Sequence, residues 1–237
     1  MIDRERMGRR GAEYGFALAE EQLSRLDTYG EMLVDWNTRM NLTGITQPEE
    51  VEVKHFLASL LLLDSVELPE KASFIDVGCG AGFPSLPCKI YRPDLKLTML
   101  DSLNKRIGFL QAVGEALSLT RVEYIHGRAE EVGRQKPHRE KYDLATARAV
   151  AHLRELSEYC LPFVKVGGVF AALKGYEIEE ELEQAAGAIA KLGGKVEQVK
   201  KYRLPLDNSR SIVVIRKVSQ TSPQYPRTPA KIAKSPL

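Results

Sequence analysis

The chain has 237 residues, of which 43% are hydrophobic and 28% are charged, and its formal net charge is +2. This apolar content is enough to bury one full α/β core, so we expect one catalytic domain with an accessory segment rather than two equal domains. The near-neutral charge excludes a polycation, and any contact with nucleic acid must therefore come from a local basic surface. The three cysteines lack paired spacing, which argues against a disulfide framework and a zinc cluster. We expect no metal.

No segment is typical of export or membrane insertion. The first ten residues are charged and are not followed by an apolar stretch, unlike a signal peptide. The longest apolar run, Phe56–Leu63, is far too short to cross a bilayer and indicates a buried helix face. We therefore expect a cytoplasmic protein with no membrane contact, and a monomer.

Residues 1–65 are predicted to form a helical segment. Apolar residues recur from Ala19 to Arg39 with a period close to 3.6 residues. A second helix is predicted over Pro48–Leu63, where proline suits the first turn and two following glutamates favour the positive end of the helix dipole. No strand-like alternation occurs here.

The pattern changes at Ala72, where five apolar runs begin to alternate with helix-length segments. This alternation predicts a parallel sheet covered on both faces. Two further strands follow without an intervening helix, which predicts an antiparallel hairpin at the sheet edge. For residues 66–218 we expect an α/β fold with a seven-stranded, mostly parallel sheet, and this plan resembles that of the class I, Rossmann-like methyltransferases. The predicted strands are Phe74–Val77, Leu97–Leu100, Val122–Ile125, Leu144–Ala149, Val169–Leu173, Lys195–Leu204 and Ser211–Val218.

The last segment, residues 219–237, contains four prolines and scattered basic residues. Its composition predicts an extended or mobile tail that cannot bury a core.

A glycine-rich turn after the first predicted strand is the central motif. Its pattern, an acid followed by three alternating glycines, comprises Asp76, Gly78, Gly80 and Gly82. Glycine permits positive φ and close approach of the backbone to a ligand. A dinucleotide fingerprint requires a third glycine where this chain has Phe83, so the loop favours S-adenosylmethionine, which has no pyrophosphate. The alternative is a tight turn without a ligand.

Polar residues follow the next two strands as well. Asp101 ends the second strand, and a carboxylate there can accept hydrogen bonds from both ribose hydroxyls, or else cap the following helix. Ala129 and Glu130 follow the third strand, where a backbone N–H and a carboxylate can bind the edge of an adenine ring. Glu130 can equally be a solvated helix charge.

Two cations end the fourth and fifth strands. Arg148 lies within an apolar run, which is costly without an anionic partner. The candidates are Asp76, the carboxylate of the cofactor's methionine and an RNA phosphate, and an internal ion pair is the simplest reading. Lys174 ends the fifth strand at the crevice where ligands sit in open α/β sheets.

Taken in order, these motifs resemble the bacterial small-subunit (16S) ribosomal RNA guanine-N7 methyltransferases, long called glucose-inhibited division protein B. The resemblance runs from about Trp36 to the end of the chain and implies S-adenosylmethionine as cofactor, ribosomal RNA or a ribosomal particle as partner, and methylation at guanine N7. It implies cofactor contacts from Gly78, Phe83, Ala129, Glu130 and Arg148, and a basic cluster of Lys54, His55, Lys105, Arg128 and Lys174. Its anchors are Trp36-Asn37, Asn41-Leu42-Thr43, Lys54-His55-Phe56-Leu57, Phe74 to Pro84, Leu100-Asp101-Ser102, Lys105-Arg106, Arg128-Ala129-Glu130, Ala147-Arg148-Ala149, Ala172-Leu173-Lys174-Gly175 and Tyr225-Pro226-Arg227.

Guanine N7 carries a lone pair at neutral pH, so the reaction needs alignment and exclusion of water rather than a dedicated base. His55 is a candidate general base, but on a helix beside two apolar residues it can equally be structural. The catalytic candidates are Arg148, Lys174 and His55, and the RNA-binding candidates are Lys54, Lys105, Arg106, Arg128, Lys174 and Arg227. Phe83 is the nearest aromatic candidate for stacking on a flipped base, and the alternative is that it only forms a wall of the cofactor site.

Two other functions remain open at this point. One is a class I methyltransferase that acts on a small molecule or a protein. The other is a non-enzymatic, nucleotide-binding module associated with the ribosome.

Overall fold

A computed structural model describes residues 1–148 and 151–237, and these form a sheet flanked by helices on both faces. Within them the sheet has seven strands in the order β3-β2-β1-β4-β5-β7-β6. The first five strands pair in parallel, whereas β7 is antiparallel to both β5 and β6. This confirms the predicted mostly parallel sheet with a terminal antiparallel hairpin. The strands are β1 Ser73–Val77, β2 Lys96–Asp101, β3 Val122–His126, β4 Tyr142–Arg148, β5 Val164–Gly175, β6 Gly194–Leu204 and β7 Asn208–Lys217.

The fourth strand was predicted to run to Ala149, which lies outside the described residues together with Val150. The helices are α1 Arg4–Glu13, α2 Glu20–Asn37, α3 Pro48–Glu50, a π-helix Val51–Leu57, α4 Ala58–Ser65, α5 Ser85–Tyr91, α6 Asn104–Ala116, α7 Ala129–Val132, α8 Leu153–Cys160, a 3₁₀ turn Leu161–Phe163, α9 Glu179–Lys191 and α10 Pro229–Lys234. None of the helices in the described part of the chain is long and apolar enough to cross a membrane.

The helical segment 1–65 packs directly on the sheet. Its buried residues, including Leu26, Tyr29 and Phe56, belong to the same hydrophobic cluster as Phe74 of β1 and Leu97 of β2. A second cluster on the opposite face contains residues of α8 and α9. The segment therefore supplies part of the core that supports the functional edge of the sheet.

The predicted second helix is present but is not a single α-helix. Between α3 and α4 the chain widens into a π-helix, in which the Ala58 N–H bonds to the Val53 carbonyl five residues back. The buried Glu52 carboxylate of this turn is held by Arg6 of α1, with 2.7 Å between Arg6 Nη2 and Glu52 Oε1. The turn thus ties the start of the chain to a segment that carries candidate site residues.

The tail at residues 219–237, predicted to be extended or mobile, packs against the domain at several points and contains a short helix, α10. Tyr225 is 4% exposed, and Ile232 of α10 is fully buried. Proline-rich backbone becomes ordered here because two arginines satisfy its carbonyl groups. Arg134 donates to the carbonyls of residues 223, 224 and 226, and Arg139 to those of residues 221, 222 and 225.

Candidate active site

The glycine loop follows β1 directly and has a backbone that requires glycine. Gly78, Gly80 and Gly82 have φ values of 72°, 57° and 94°. A Cβ on Gly82 would lie 2.6 Å from Leu86 Cδ1, so the loop is also pressed against α5. These positive φ values and the close packing account for the alternating glycines that the sequence shows.

Asp101 closes β2 beside this loop and is 2% exposed. Its Oδ2 accepts a hydrogen bond from the Gly80 N–H at 2.8 Å, and its Oδ1 accepts one from the Leu103 N–H at 2.9 Å. Arg106 Nη1 lies 3.5 Å from Oδ2. The carboxylate therefore both orders the turn before α6 and connects the loop to β2.

Two clefts meet at Gly78, Asp101 and Ser102. One, the α7 cleft, has a volume of about 300 Å³ and lies between the ends of β1–β3 and helices α7 and α8. The other, the loop cleft, has a volume of about 410 Å³ and follows the glycine loop toward Arg148. The α7 cleft is lined by Val77, Gly78, Leu100, Asp101, Ser102, Gly127, Arg128, Ala129, Glu130, Ala151, Glu155, Leu156, Tyr159 and Pro229. The loop cleft is lined by Leu42, Thr43, His55, Gly78, Cys79, Gly80, Ala81, Phe83, Asp101, Ser102, Arg106 and Arg148.

Glu130 and Ala129 start α7 at the wall of the α7 cleft. Glu130 is 7% exposed, and its Oε1 lies 3.8 Å from Arg128 Nη1. It is therefore a mostly buried carboxylate facing a cleft rather than a solvated helix charge.

Arg148, His55 and Phe83 form a compact stack at the far end of the loop cleft. Arg148 Nη2 lies 2.8 Å from His55 Nδ1, and the Arg148 guanidinium carbon lies 5.0 Å from the centre of the Phe83 ring. The His55 ring stacks on Phe83 with 4.2 Å between centroids. Since Nδ1 accepts from the arginine, Nε2 carries the proton and donates to Thr43 Oγ1 at 2.8 Å.

The charges of this stack are set by burial. Burial and the neighbouring Arg148 charge lower the pKa of His55 to about 3, so the ring is neutral at pH 7. Burial lowers the pKa of Arg148 to about 10, which leaves the guanidinium charged. Among the described residues no carboxylate lies within ion-pairing distance of Arg148. Its internal contacts are neutral acceptors, including the Lys54 carbonyl at 3.3 Å.

Asp76 lies beneath the glycine loop and is fully buried. One carboxylate oxygen accepts a hydrogen bond from the Ser85 hydroxyl, whereas Oδ1 has no hydrogen-bond partner among the described residues. Burial raises the pKa of Asp76 to about 7, and the nearby Arg148 charge opposes this rise. Asp76 and Arg148 therefore do not form an ion pair, and Arg148 attracts the Asp76 carboxylate only over a longer distance.

A third cavity, the β5 cavity, lies on the other side of Arg148 and has a volume of about 420 Å³. Lys174 lines it and pairs with Glu181 at 2.5 Å. Arg210, which sequence reasoning missed, lines it as well and lies opposite Gly175 in the β5–β7 register. The predicted hairpin could have indicated this placement, because its second strand returns to the end of β5. The lining residues are Ile45, Lys54, Ala58, Leu61, Arg148, Leu173, Lys174, Gly175, Glu177, Glu181, Arg210, Ser211 and Ile212.

The predicted RNA-binding residues are only partly brought together. Arg106 and Arg128 line the two clefts, with Arg128 60% exposed, and Lys105 is exposed at the start of α6. Lys54 lines the β5 cavity and pairs with Glu50. Arg227 instead forms an ion pair with a buried carboxylate of α8, so its charge is already paired within the protein. Within the described residues no group of three metal-ligating side chains could hold a metal ion.

The sheet and helices are shared with solved structures of low sequence identity. TrmN from Thermus thermophilus superposes with a TM-score of 0.52 at 19% identity, covering 68% of this chain and 48% of that one. Geranyl diphosphate C-methyltransferase from Streptomyces coelicolor gives a TM-score of 0.53 at 11% identity, covering 68% and 78%. This likeness concerns the fold alone.

Sequence relatives are much closer. Ribosomal RNA small subunit methyltransferase G of Alkaliphilus metalliredigens is 52% identical over 95% of this chain and 95% of that protein. The protein of the same name from Bacillus subtilis is 48% identical over 95% of each. The family model described as rRNA small subunit methyltransferase G matches residues 22–213. The chain therefore belongs to the family of rRNA small subunit methyltransferase G.

Proposed function

We propose that the protein transfers a methyl group from S-adenosylmethionine to N7 of a guanine in small-subunit ribosomal RNA. The observation that carries the proposal is the pair of clefts that meet at Gly78 and Asp101, on the carboxyl edge of the parallel strands. Such an edge is where open α/β sheets bind their ligands. The family supports ribosomal RNA as the class of substrate, and such a substrate supports a cytoplasmic location.

The residues present fit an elongated donor with a sugar at its centre. Asp101, at the junction of the clefts, can accept hydrogen bonds from the two ribose hydroxyls. The α7 cleft takes the adenine, with Ala129 and Glu130 at its edge. The loop cleft takes the methionine portion, and Arg148 there is a cation without an internal carboxylate partner that suits the methionine carboxylate. Phe83 is buried where a pyrophosphate-binding loop would require its third glycine, which disfavours a dinucleotide.

When bound, the donor supplies an electrophilic methyl group on a sulfonium. Transfer of that methyl group to the N7 lone pair would leave the positive charge on the guanine ring. No proton leaves N7, so no base is required. His55 accordingly serves to orient Arg148: its neutral ring accepts the arginine N–H and stacks on Phe83. This assigns His55 a positioning role rather than the general-base role that the sequence left open.

The acceptor approaches from the β5 cavity. Its walls combine apolar residues with charged ones: two carboxylates, Glu177 and Glu181, and four cations, Lys54, Arg148, Lys174 and Arg210. Apolar walls suit a base, and the cations suit the phosphates beside it. Burial lowers the pKa of Arg210, whose Nη1 donates only to the neighbouring Ser209 carbonyl among the described residues. An anion from the substrate would offset that desolvation.

The test is an RNA methylation assay. Small ribosomal subunits from a strain that lacks the enzyme are incubated with purified protein and S-adenosylmethionine labelled in its methyl group. We expect label in the small-subunit RNA, and strand scission at one guanine after borohydride reduction and aniline treatment, which cleaves at N7-methylguanine. Asp101→Ala should weaken cofactor binding, whereas Lys174→Ala should reduce turnover more than cofactor affinity. The exposed Asp35→Ala serves as the matched control for Asp101→Ala.

Other outcomes would replace the proposal. Label on protein or on a small molecule would indicate a different methyltransferase. Absence of both label and donor binding would indicate a non-enzymatic module. RNA label without scission would move the reaction to another atom.

A further inference from the structure

We propose that the tail, residues 219–237, forms part of the cofactor site by holding Pro229 as the outer wall of the α7 cleft. The inference rests on the proposed use of S-adenosylmethionine, whose adenine this cleft would take. Pro229 lines the cleft together with Glu155 and Tyr159 of α8. The tail, whose composition is typical of a mobile segment, thus contributes an apolar surface to the adenine end of the site.

Pro229 is held in place by an ion pair two residues earlier in the chain. The Glu158 side chain is 1% exposed, and its carboxylate receives three groups of Arg227. The Arg227 backbone N–H and Nε donate to Oε1 at 2.7 and 2.9 Å, and Nη2 donates to Oε2 at 2.7 Å. A bidentate arginine–carboxylate pair, strengthened by a backbone hydrogen bond, fixes both the orientation of Arg227 and its distance from α8.

The same helix contributes to both the anchor and the cleft. Glu158 belongs to α8, and two residues near it in the sequence, Leu156 and Tyr159, line the cleft. Arg154, one turn earlier, donates to the carbonyl groups of Pro236 and Leu237. The tail is therefore attached to α8 both before and after Pro229, and its position relative to the cleft is fixed.

A tail of this kind has two possible uses, and they predict different measurements. If it only stabilises the fold, its removal lowers the melting temperature and leaves ligand affinity unchanged in the folded fraction. If it forms the adenine wall, its removal weakens every ligand that carries adenine by the same factor. Glu158 is then a positioning residue, since it acts on the ligand only through Arg227 and Pro229.

The experiment measures dissociation constants by calorimetry for S-adenosylhomocysteine and for 5′-methylthioadenosine, which lacks the amino-acid portion. The variants are a chain ending at Arg227, which keeps the Glu158 anchor, together with the full-length variants Pro229→Ala and Glu158→Gln. Lys234→Ala, on the exposed face of α10, is the matched control. Circular dichroism confirms folding at the temperature used.

We expect both ligands to bind the shortened chain about tenfold more weakly, because one apolar face of the adenine becomes exposed to water. Pro229→Ala and Glu158→Gln should show smaller losses that are again equal for the two ligands, and Lys234→Ala should show none. In turnover, the KM for the cofactor should rise while the KM for RNA stays constant.

Unchanged affinities in the shortened chain would overturn the inference and leave the proposed function standing. A loss confined to S-adenosylhomocysteine would also overturn it, because the tail would then act on the amino-acid end. If the shortened chain does not fold, the two point variants decide by the same criteria. Failure of the unmodified protein to bind either ligand would instead remove the proposed function, and the inference with it.

Discussion

Replacement of Asp76 by asparagine should change how stability depends on pH. This carboxyl is fully buried, one of its oxygens has no partner in the described part of the chain, and burial raises its pKa from 3.8 to about 7. Asparagine keeps the size and shape of the group and removes its titration. The loop above it keeps its glycines, so we expect the fold to persist.

The size and sign of the effect follow from proton linkage. Between pH 4 and pH 7 the folded protein retains a proton that the unfolded chain has released, so stability falls as pH rises. Each pH unit in this window costs about 1.4 kcal/mol. Between pH 5 and pH 8, the unmodified protein should therefore lose roughly 2–3 kcal/mol of stability through Asp76, and Asp76→Asn should not show this loss. For a chain of this length that corresponds to a relative shift in melting temperature of about 5–10 °C.

The assay is urea unfolding followed by circular dichroism at pH 5, 6, 7 and 8. The difference in unfolding free energy between Asp76→Asn and the unmodified protein is the quantity to compare, because His55, with a folded pKa of about 3, adds an opposite trend to both. Asp35→Asn removes an exposed carboxylate and serves as the control. Parallel pH profiles for Asp76→Asn and the unmodified protein would refute the reasoning, since the buried carboxyl would then titrate as it does in the unfolded chain.

Three further predictions concern the surrounding structure. Glu52→Gln leaves two arginines of α1 without their buried anionic partner and should lower the unfolding free energy. The loss should be limited to roughly 2 kcal/mol because the partly exposed arginines regain some hydration. An unchanged urea midpoint would contradict this prediction. His55→Gln should reduce kcat without removing a titrating limb from its profile between pH 5 and 8, whereas loss of a limb present in the unmodified enzyme would restore the general-base role. Gly82→Ala should destabilise by about 1–3 kcal/mol in thermal unfolding, because φ is 94° and the added Cβ meets Leu86; a variant as stable as the parent would show that the loop can move.

Sequence patterns predicted those parts of the molecule that local chemistry determines. The alternating glycines predicted the turn because glycine is the residue that most readily adopts positive φ. Asp101 was identifiable because it ends a strand. The seven strands followed from short apolar runs and the spacing of helices between them. These features need no knowledge of distant residues.

Other features depend on contacts between residues far apart in the chain. The tail is held by Arg134 and Arg139, which lie 82 to 92 residues before the carbonyl groups that they contact, and composition alone gives no sign of such partners. The cavity position of Arg210 follows only when the hairpin register is known. The anchoring role of Arg227 likewise depends on Glu158, which reads as an ordinary helix charge in sequence.

The π-helix at Val51–Leu57 has a consequence for insertions and deletions in this family. It contains more residues per turn than its flanking helices, so the loss of one residue would let the whole stretch close as a regular α-helix. Side chains within the stretch would then take the angular spacing of 3.6 residues per turn and would face other directions than they do in the π-helix. Glu52 and His55 could no longer face Arg6 and Arg148 at the same time. Length in this turn should thus be conserved more strictly than residue identity.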